Sequence, residues 1–175
     1  MNRENAWTTY EEADIKALEG LCKEYKDFLS NGKTERECIT QIVKEAEEAG
    51  YVSLEEKVKN GEALKAGDKV YQVGMQKIIA LYHIGEEDLG EDAIEDGLNI
   101  LGAHIDSPRL DLKQNPLYED TEMALLDTHY YGGVKKYQWV TLPMALHGVV
   151  VKKDGTKVNI CIGEKDEDPV VGITD

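Results

Sequence analysis

Positive charge is scarce in this chain: 20 Lys and Arg stand against 35 Asp and Glu, a net of −15. Sequence-independent binding to nucleic acid or to an anionic membrane needs clustered cations, so neither partner is expected. Long apolar runs are missing too. Stretches such as Leu146 to Val151 fall far short of the roughly 18 residues that cross a bilayer, so no transmembrane helix is expected. The opening Met1-Asn2-Arg3-Glu4-Asn5 runs into a charged amphipathic pattern without the apolar segment of a secretory signal. Cysteine is sparse: Cys22, Cys38 and Cys161 are odd in number and share no ligand-like spacing. Three buried or half-buried thiols in a reducing cytoplasm are expected.

What remains is 41% hydrophobic and 31% charged, a globular composition with too many Ile, Val, Leu and Tyr for a disordered chain. A chain of 175 residues has room for one ordinary domain. Its first fifty residues read as two helices. Thr9 with Glu12 forms a capping box, after which Ile15, Leu18, Leu21, Cys22, Tyr25 and Leu29 recur at helical spacing until Asn31-Gly32. A second box, Thr34 with Glu37, opens a helix carrying Ile39, Ile42, Val43, Ala46 and Ala49 on one face, and Gly50 is placed to end it.

From Tyr51 the pattern turns to short β-branched and aromatic runs punctuated by glycine, with strands predicted over Lys69 to Val73 and Ile78 to Ile84. Glu86 to Asp96 holds seven carboxylates in eleven positions without the ligand spacing of an EF-hand, and reads as an exposed loop rather than a calcium site. Gly97 to Ala103 is apolar and glycine-bounded, as a buried strand of an α/β sheet would be. Beyond Pro116 the chain becomes β-rich, and Lys153-Asp154-Gly155-Thr156 joins Gly148 to Lys152 with Lys157 to Ile162 as a hairpin turn.

The segment Leu101-Gly102-Ala103-His104-Ile105-Asp106-Ser107-Pro108 sets an imidazole just past the expected buried strand, with a carboxylate two residues on. Strand ends of open α/β sheets are where catalytic groups are held. Imidazole is a zinc ligand, and a ligating His commonly donates its other N–H to a carboxylate or carbonyl that fixes its tautomer. The pair equally fits a His that caps a strand end through a nearby Asp. His83 and His147 lie within apolar strand patterns and read as satisfied core residues. Tyr130, Tyr131 and Trp139 suit either interface anchors or core packing.

The run from Gly102 to Lys113, Gly-Ala-His-Ile-Asp-Ser-Pro-Arg-Leu-Asp-Leu-Lys, resembles the first metal motif of the M18 metallopeptidases, the aspartyl aminopeptidase and vacuolar aminopeptidase I family. Tyr130-Tyr131-Gly132-Gly133, Trp139, the hairpin near Val149 to Val151 and the run Pro169 to Asp175 follow in the family's order. The resemblance implies an α/β fold: a zinc-exopeptidase-like sheet with flanking helices over residues 1–112, then part of an inserted β-rich oligomerisation subdomain over 113–175. It implies a cytoplasmic aminopeptidase acting on peptides through two zinc ions, with His104 a metal ligand and Asp106 a catalytic residue supporting the site. His129 is a candidate for an inter-subunit or substrate contact, and a large homo-oligomer, a dodecamer of tetrahedral symmetry, is implied.

The family's other ligands and its glutamate base would lie beyond Asp175, so these residues alone are expected to be inactive. The apolar run Val170 to Ile173 has no terminator behind it, and the sequence is expected to stop inside a larger fold. After Gly133 the chain lacks the Asp-Arg-Asp-Leu stretch of many members, which sets a neutral or broad N-terminal preference on at least equal footing with an acidic one. Two other readings stay open: a non-catalytic interaction module, and a related zinc amidohydrolase using the same His-x-Asp arrangement.

Overall fold

Helix ends in this chain sit where side chains answer the backbone groups that a helix leaves unpaired. The computed structural model describes residues 3–85 and 97–173, so the acidic run 86–96 lies outside the described residues. The chain divides into two compact units, Met1–Ala103 and His104–Asp175, taken here in turn.

In the first unit, helix α1 spans Glu12–Asn31 and α2 spans Glu35–Glu48. Thr34 opens α2 as its sequence predicts: its hydroxyl accepts from the Glu37 amide at 3.3 Å while the Glu37 carboxylate accepts from the Thr34 amide at 2.9 Å. The expected Thr9–Glu12 box does not form. A 3-10 turn over Ala6–Thr8 precedes α1 and the Thr9 hydroxyl donates to the Ala6 carbonyl, so the cap moves two residues on, where the Glu11 amide donates to Asp14. Gly50 ends α2 with φ +87, its amide on the Glu47 carbonyl and that of Tyr51 on the Ala46 carbonyl, which is a Schellman closure.

Strand β1 (Val52–Ser53) runs parallel to β2 (Lys69–Gly74), which pairs antiparallel with β3 (Ile78–His83). A short helix α3, Leu54–Lys59, lies between β1 and β2. Helix α2 packs on the β2–β3 hairpin, and the buried residues Cys38, Ile39, Ala46 and Val70 mark that core. Polar ties fix the seat: the Tyr71 hydroxyl donates to Glu47 at 2.7 Å, Lys69 to the Ala49 carbonyl and Arg36 to the Met75 carbonyl. Burial pushes the Cys38 thiol up, helped by Glu37 and Glu35.

Two further expectations fail in this unit. Gly97–Ala103 is not a buried strand: it forms no ladder among the described residues, and Leu101 is 97% exposed. A strand exists through its neighbours, and none of the described strands lies alongside this segment. His83, the last residue of β3, is exposed rather than a core histidine. Cys161, in the second unit, is likewise exposed rather than buried.

The second unit is built from hairpins. Strand β4 (Arg109–Asp120) pairs with β5 (Met123–Tyr131), and after β6 (Pro143–Met144) strand β7 (Leu146–Val151) pairs with β8 (Lys157–Ile162), the turn lying at the predicted Lys153 to Thr156. Strand β9 (Val171–Gly172) returns to β6. The β4–β5 ladder shifts register between Leu112 and Leu117, across a segment containing Pro116. Proline has no amide N–H to give a ladder, so a bulge there is its natural place. The whole is mixed α/β.

Because Val70 has no exposed surface, Val70→Ala removes two buried methyl groups and is expected to lower unfolding stability by roughly 2 kcal/mol in urea titration. Hydrogen bonding to Glu47, and then burial, push the Tyr71 phenol up to about 12. A folded-state value above the unfolded value of about 10 gives stability that is fully present below pH ~10 and lost as pH rises toward 12. Denaturation across that interval should therefore show a steeper loss for the parent chain than for Glu47→Gln.

Candidate metal centre

Residues 104–108 run directly into β4, and the end of its partner strand β5 reaches Asp106 and Pro108. Arg109 pairs with Tyr131 in the ladder, Leu110 with Tyr130 and Asp111 with His129. Alternation then places Arg109, Asp111, Tyr131 and His129 on one face. The Tyr131 hydroxyl donates to Asp106 Oδ2 at 2.9 Å, joining residues 25 positions apart in the chain. Gly132 follows in the left-handed region at φ +78 and lies against Pro108, so the glycine after the tyrosine pair touches the histidine segment.

His104 holds Asp106 with one ring nitrogen. Nδ1 is 2.9 Å from the Asp106 carbonyl oxygen and 3.3 Å from its Oδ1. A carbonyl can only accept, so the Nδ1 atom carries the proton and a neutral ring keeps its lone pair on Nε2. The side chain of His104 is 84% exposed and that of Asp106 38%. The Tyr131 hydroxyl, then Asp106's own amide and the His104 ring, hold the Asp106 carboxyl below the usual carboxylate range, so it stays ionised into acid.

The donor set fits one corner of a zinc site: an exposed imidazole with its tautomer fixed by a second group. It does not make a complete site, since among the described residues no three His, Cys, Asp or Glu side chains converge to hold a metal ion. His129 stacks on Tyr130 with ring centroids 5.6 Å apart, while Asp127 pairs with Lys113 at 2.9 Å. His147 is satisfied by Glu164 through Nε2 at 3.0 Å.

Sequence reasoning missed Tyr131 and Arg109. The guanidinium of Arg109 lies 4.3 Å from the Tyr131 ring centroid and its Nε donates to Asp111 at 2.7 Å. The register shift hides this pairing. Counted back unbroken from Asp120 opposite Met123, the ladder would put Val134 across from Arg109.

Comparison with known families gives the context. The model of the aminopeptidase I zinc metalloprotease family, M18, matches residues 28–175. The chain belongs to the M18 family. It is similar over 98% of its length, at 57% identity, to the protein named "Probable M18 family aminopeptidase 1" of Clostridium acetobutylicum. Among solved structures, aminopeptidase I from Borrelia burgdorferi B31 superposes with TM-score 0.86 at 39% identity, over 98% of this chain and 40% of that one. Aminopeptidase I from Clostridium acetobutylicum gives 0.80 at 55% identity, over 100% of this chain and 38% of that one. The chain spans 36% of the length of the curated Clostridium relative. These M18 structures share the chain's α/β fold.

The tautomer is open to a direct check. In the metal-free chain, at a pH where the ring is neutral, two-dimensional ¹⁵N spectra should show His104 protonated at Nδ1. A ring protonated at Nε2 would contradict the geometry.

Proposed function

We propose that this M18 chain forms the N-terminal part of a zinc aminopeptidase that removes N-terminal residues from peptides. One observation carries the reading: His104 spends its Nδ1 proton on Asp106 and leaves Nε2 as a ligand, within a chain whose family is described as zinc metalloproteases. His104 would hold one zinc of a dinuclear site and Asp106 would orient it. Bound there, zinc would supply a water of lowered pKa and Lewis-acid polarisation of the scissile carbonyl. This chain's own part is to fix one ligand and keep an ionised carboxylate beside it.

The remaining ligands and the general base would come from further chain. Two facts support a longer protein: the 36% share of the curated relative's length, and large apolar side chains left exposed, such as Leu21, Ile100 and Leu101. Residues 1–112 then belong to the catalytic domain, and 113–175 to a β-rich insertion that serves assembly into a large homo-oligomer, with a dodecamer as the specific proposal. His129, opposite Asp111 at the exposed C-terminal end of strand β5, is its candidate inter-subunit or substrate contact. A cytoplasmic location is part of the same proposal and accords with three cysteines that form no disulfide. Taken by itself, the stretch has the properties of a non-catalytic assembly module, since a catalytic zinc normally takes three protein ligands.

In the full-length protein, His104→Ala should lower zinc content and cut kcat/KM by more than about a hundredfold, beyond the range seen for groups that only orient a ligand. Unchanged zinc and unchanged peptidase activity would sink the metal assignment. The 175-residue chain alone should hydrolyse no aminoacyl p-nitroanilide at any zinc concentration. Comparing acidic, neutral and basic first residues with simple amides, on the full-length protein, separates peptidase from amidohydrolase and sets the specificity.

A further inference from the structure

We infer that Tyr131 is a positioning residue for the His104–Asp106 pair, its phenol locking the carboxylate whose residue holds the imidazole; this rests on the metal-ligand reading above. Asp106 has three oxygens in play. Its carbonyl and Oδ1 face the His104 Nδ1 atom at 2.9 and 3.3 Å, and Oδ2 takes the Tyr131 hydroxyl at 2.9 Å. An aspartate side chain with one oxygen anchored loses the rotation that would swing the other away from the ring. Without that anchor an exposed carboxylate samples several rotamers, and the ring it faces follows.

The anchor is itself held. Tyr131 is fixed in the β5 ladder opposite Arg109, whose guanidinium stacks 4.3 Å from its ring centroid. That guanidinium is tied to Asp111 at 2.7 Å and reaches the Ser107 carbonyl, next to Asp106, at 3.5 Å. The contacts form a closed circuit from Asp106 through Tyr131 and Arg109 back to Ser107. A phenylalanine keeps the ring that the guanidinium stacks on and removes the hydroxyl that the carboxylate accepts. Tyr131 acts on the metal ligand through Asp106, which makes it a positioning residue.

The test uses the full-length protein and needs no turnover. Zinc affinity is measured by competition with a chelator, and the His104 ring is followed by ¹⁵N spectra of the metal-free protein. Tyr131→Phe should weaken zinc binding about tenfold, the lower end of what loss of a group that orients a ligand produces, and should broaden or shift the Nδ1–H signal of His104. Tyr130→Phe, the same atom removed one residue away on the opposite face, should change neither. Unchanged affinity and an unchanged His104 signal in Tyr131→Phe overturn the inference, as does an equal loss in Tyr130→Phe, which would mark a general effect on the hairpin. His104→Ala calibrates the site: if it retains full zinc affinity, the metal-ligand reading falls. If it loses affinity while Tyr131→Phe does not, only the positioning role falls.

Discussion

An imidazole can present a lone pair at Nε2 only while its proton stays on Nδ1, and everything around His104 bears on that condition. The Asp106 carbonyl accepts the proton, the Asp106 carboxylate adds a negative charge beside it, and the Tyr131 hydroxyl occupies the carboxylate's far oxygen. None of these partners is supplied by a helix or by a packed core. They come from a short entry segment and from a strand that reaches it only because β4 and β5 are paired in one register. The register shifts between Leu112 and Leu117, in the segment that holds Pro116, and that shift brings Tyr131 rather than Val134 opposite Arg109.

The first unit is built by a different rule. Its helices are defined by local chemistry: the reciprocal Thr34–Glu37 bonds at one end of α2 and the left-handed Gly50 at the other. Among the described residues few side chains are buried, and Val70 has no exposed surface at all. The α2 seat on β2 and β3 is tightened by polar ties at its rim, with Tyr71 on Glu47 and Arg36 on the Met75 turn, where Met75 and Gln76 both take left-handed φ values. Left-handed backbone at non-glycine residues is held by its surroundings, and the guanidinium accepted by the Met75 carbonyl is one such hold.

Much of this was legible in the sequence wherever the signal is local. Thr34, Glu37 and Gly50 announce α2 to the residue, and Lys153 to Thr156 announces the β7–β8 turn, because caps and tight turns involve neighbours three or four positions apart. The Thr9 cap was misread for the same local reason: its hydroxyl had a nearer acceptor at Ala6. Gly97–Ala103 was misread because apolar content and glycine borders describe a buried strand only when partner strands exist to bury it. For the site, His104 and Asp106 were visible as a pair two residues apart. Tyr131 and Arg109 were not, because their meeting depends on a three-residue register offset that no pattern of hydrophobicity encodes.

The exposure of the His104 segment limits what any single contact there can contribute. A hydrogen bond open to water contributes little, and a surface ion pair no more. An orienting group of that strength, acting alone, would leave the imidazole free for much of the time. Linked in series the contacts do something that strength does not provide: each removes one rotational freedom from the next, Arg109 from the Tyr131 ring, Tyr131 from the Asp106 carboxylate, Asp106 from the His104 imidazole. The segment thus gains order through connectivity rather than burial. That is the arrangement a ligand needs if it must remain accessible to a metal ion while still being fixed in tautomer and direction.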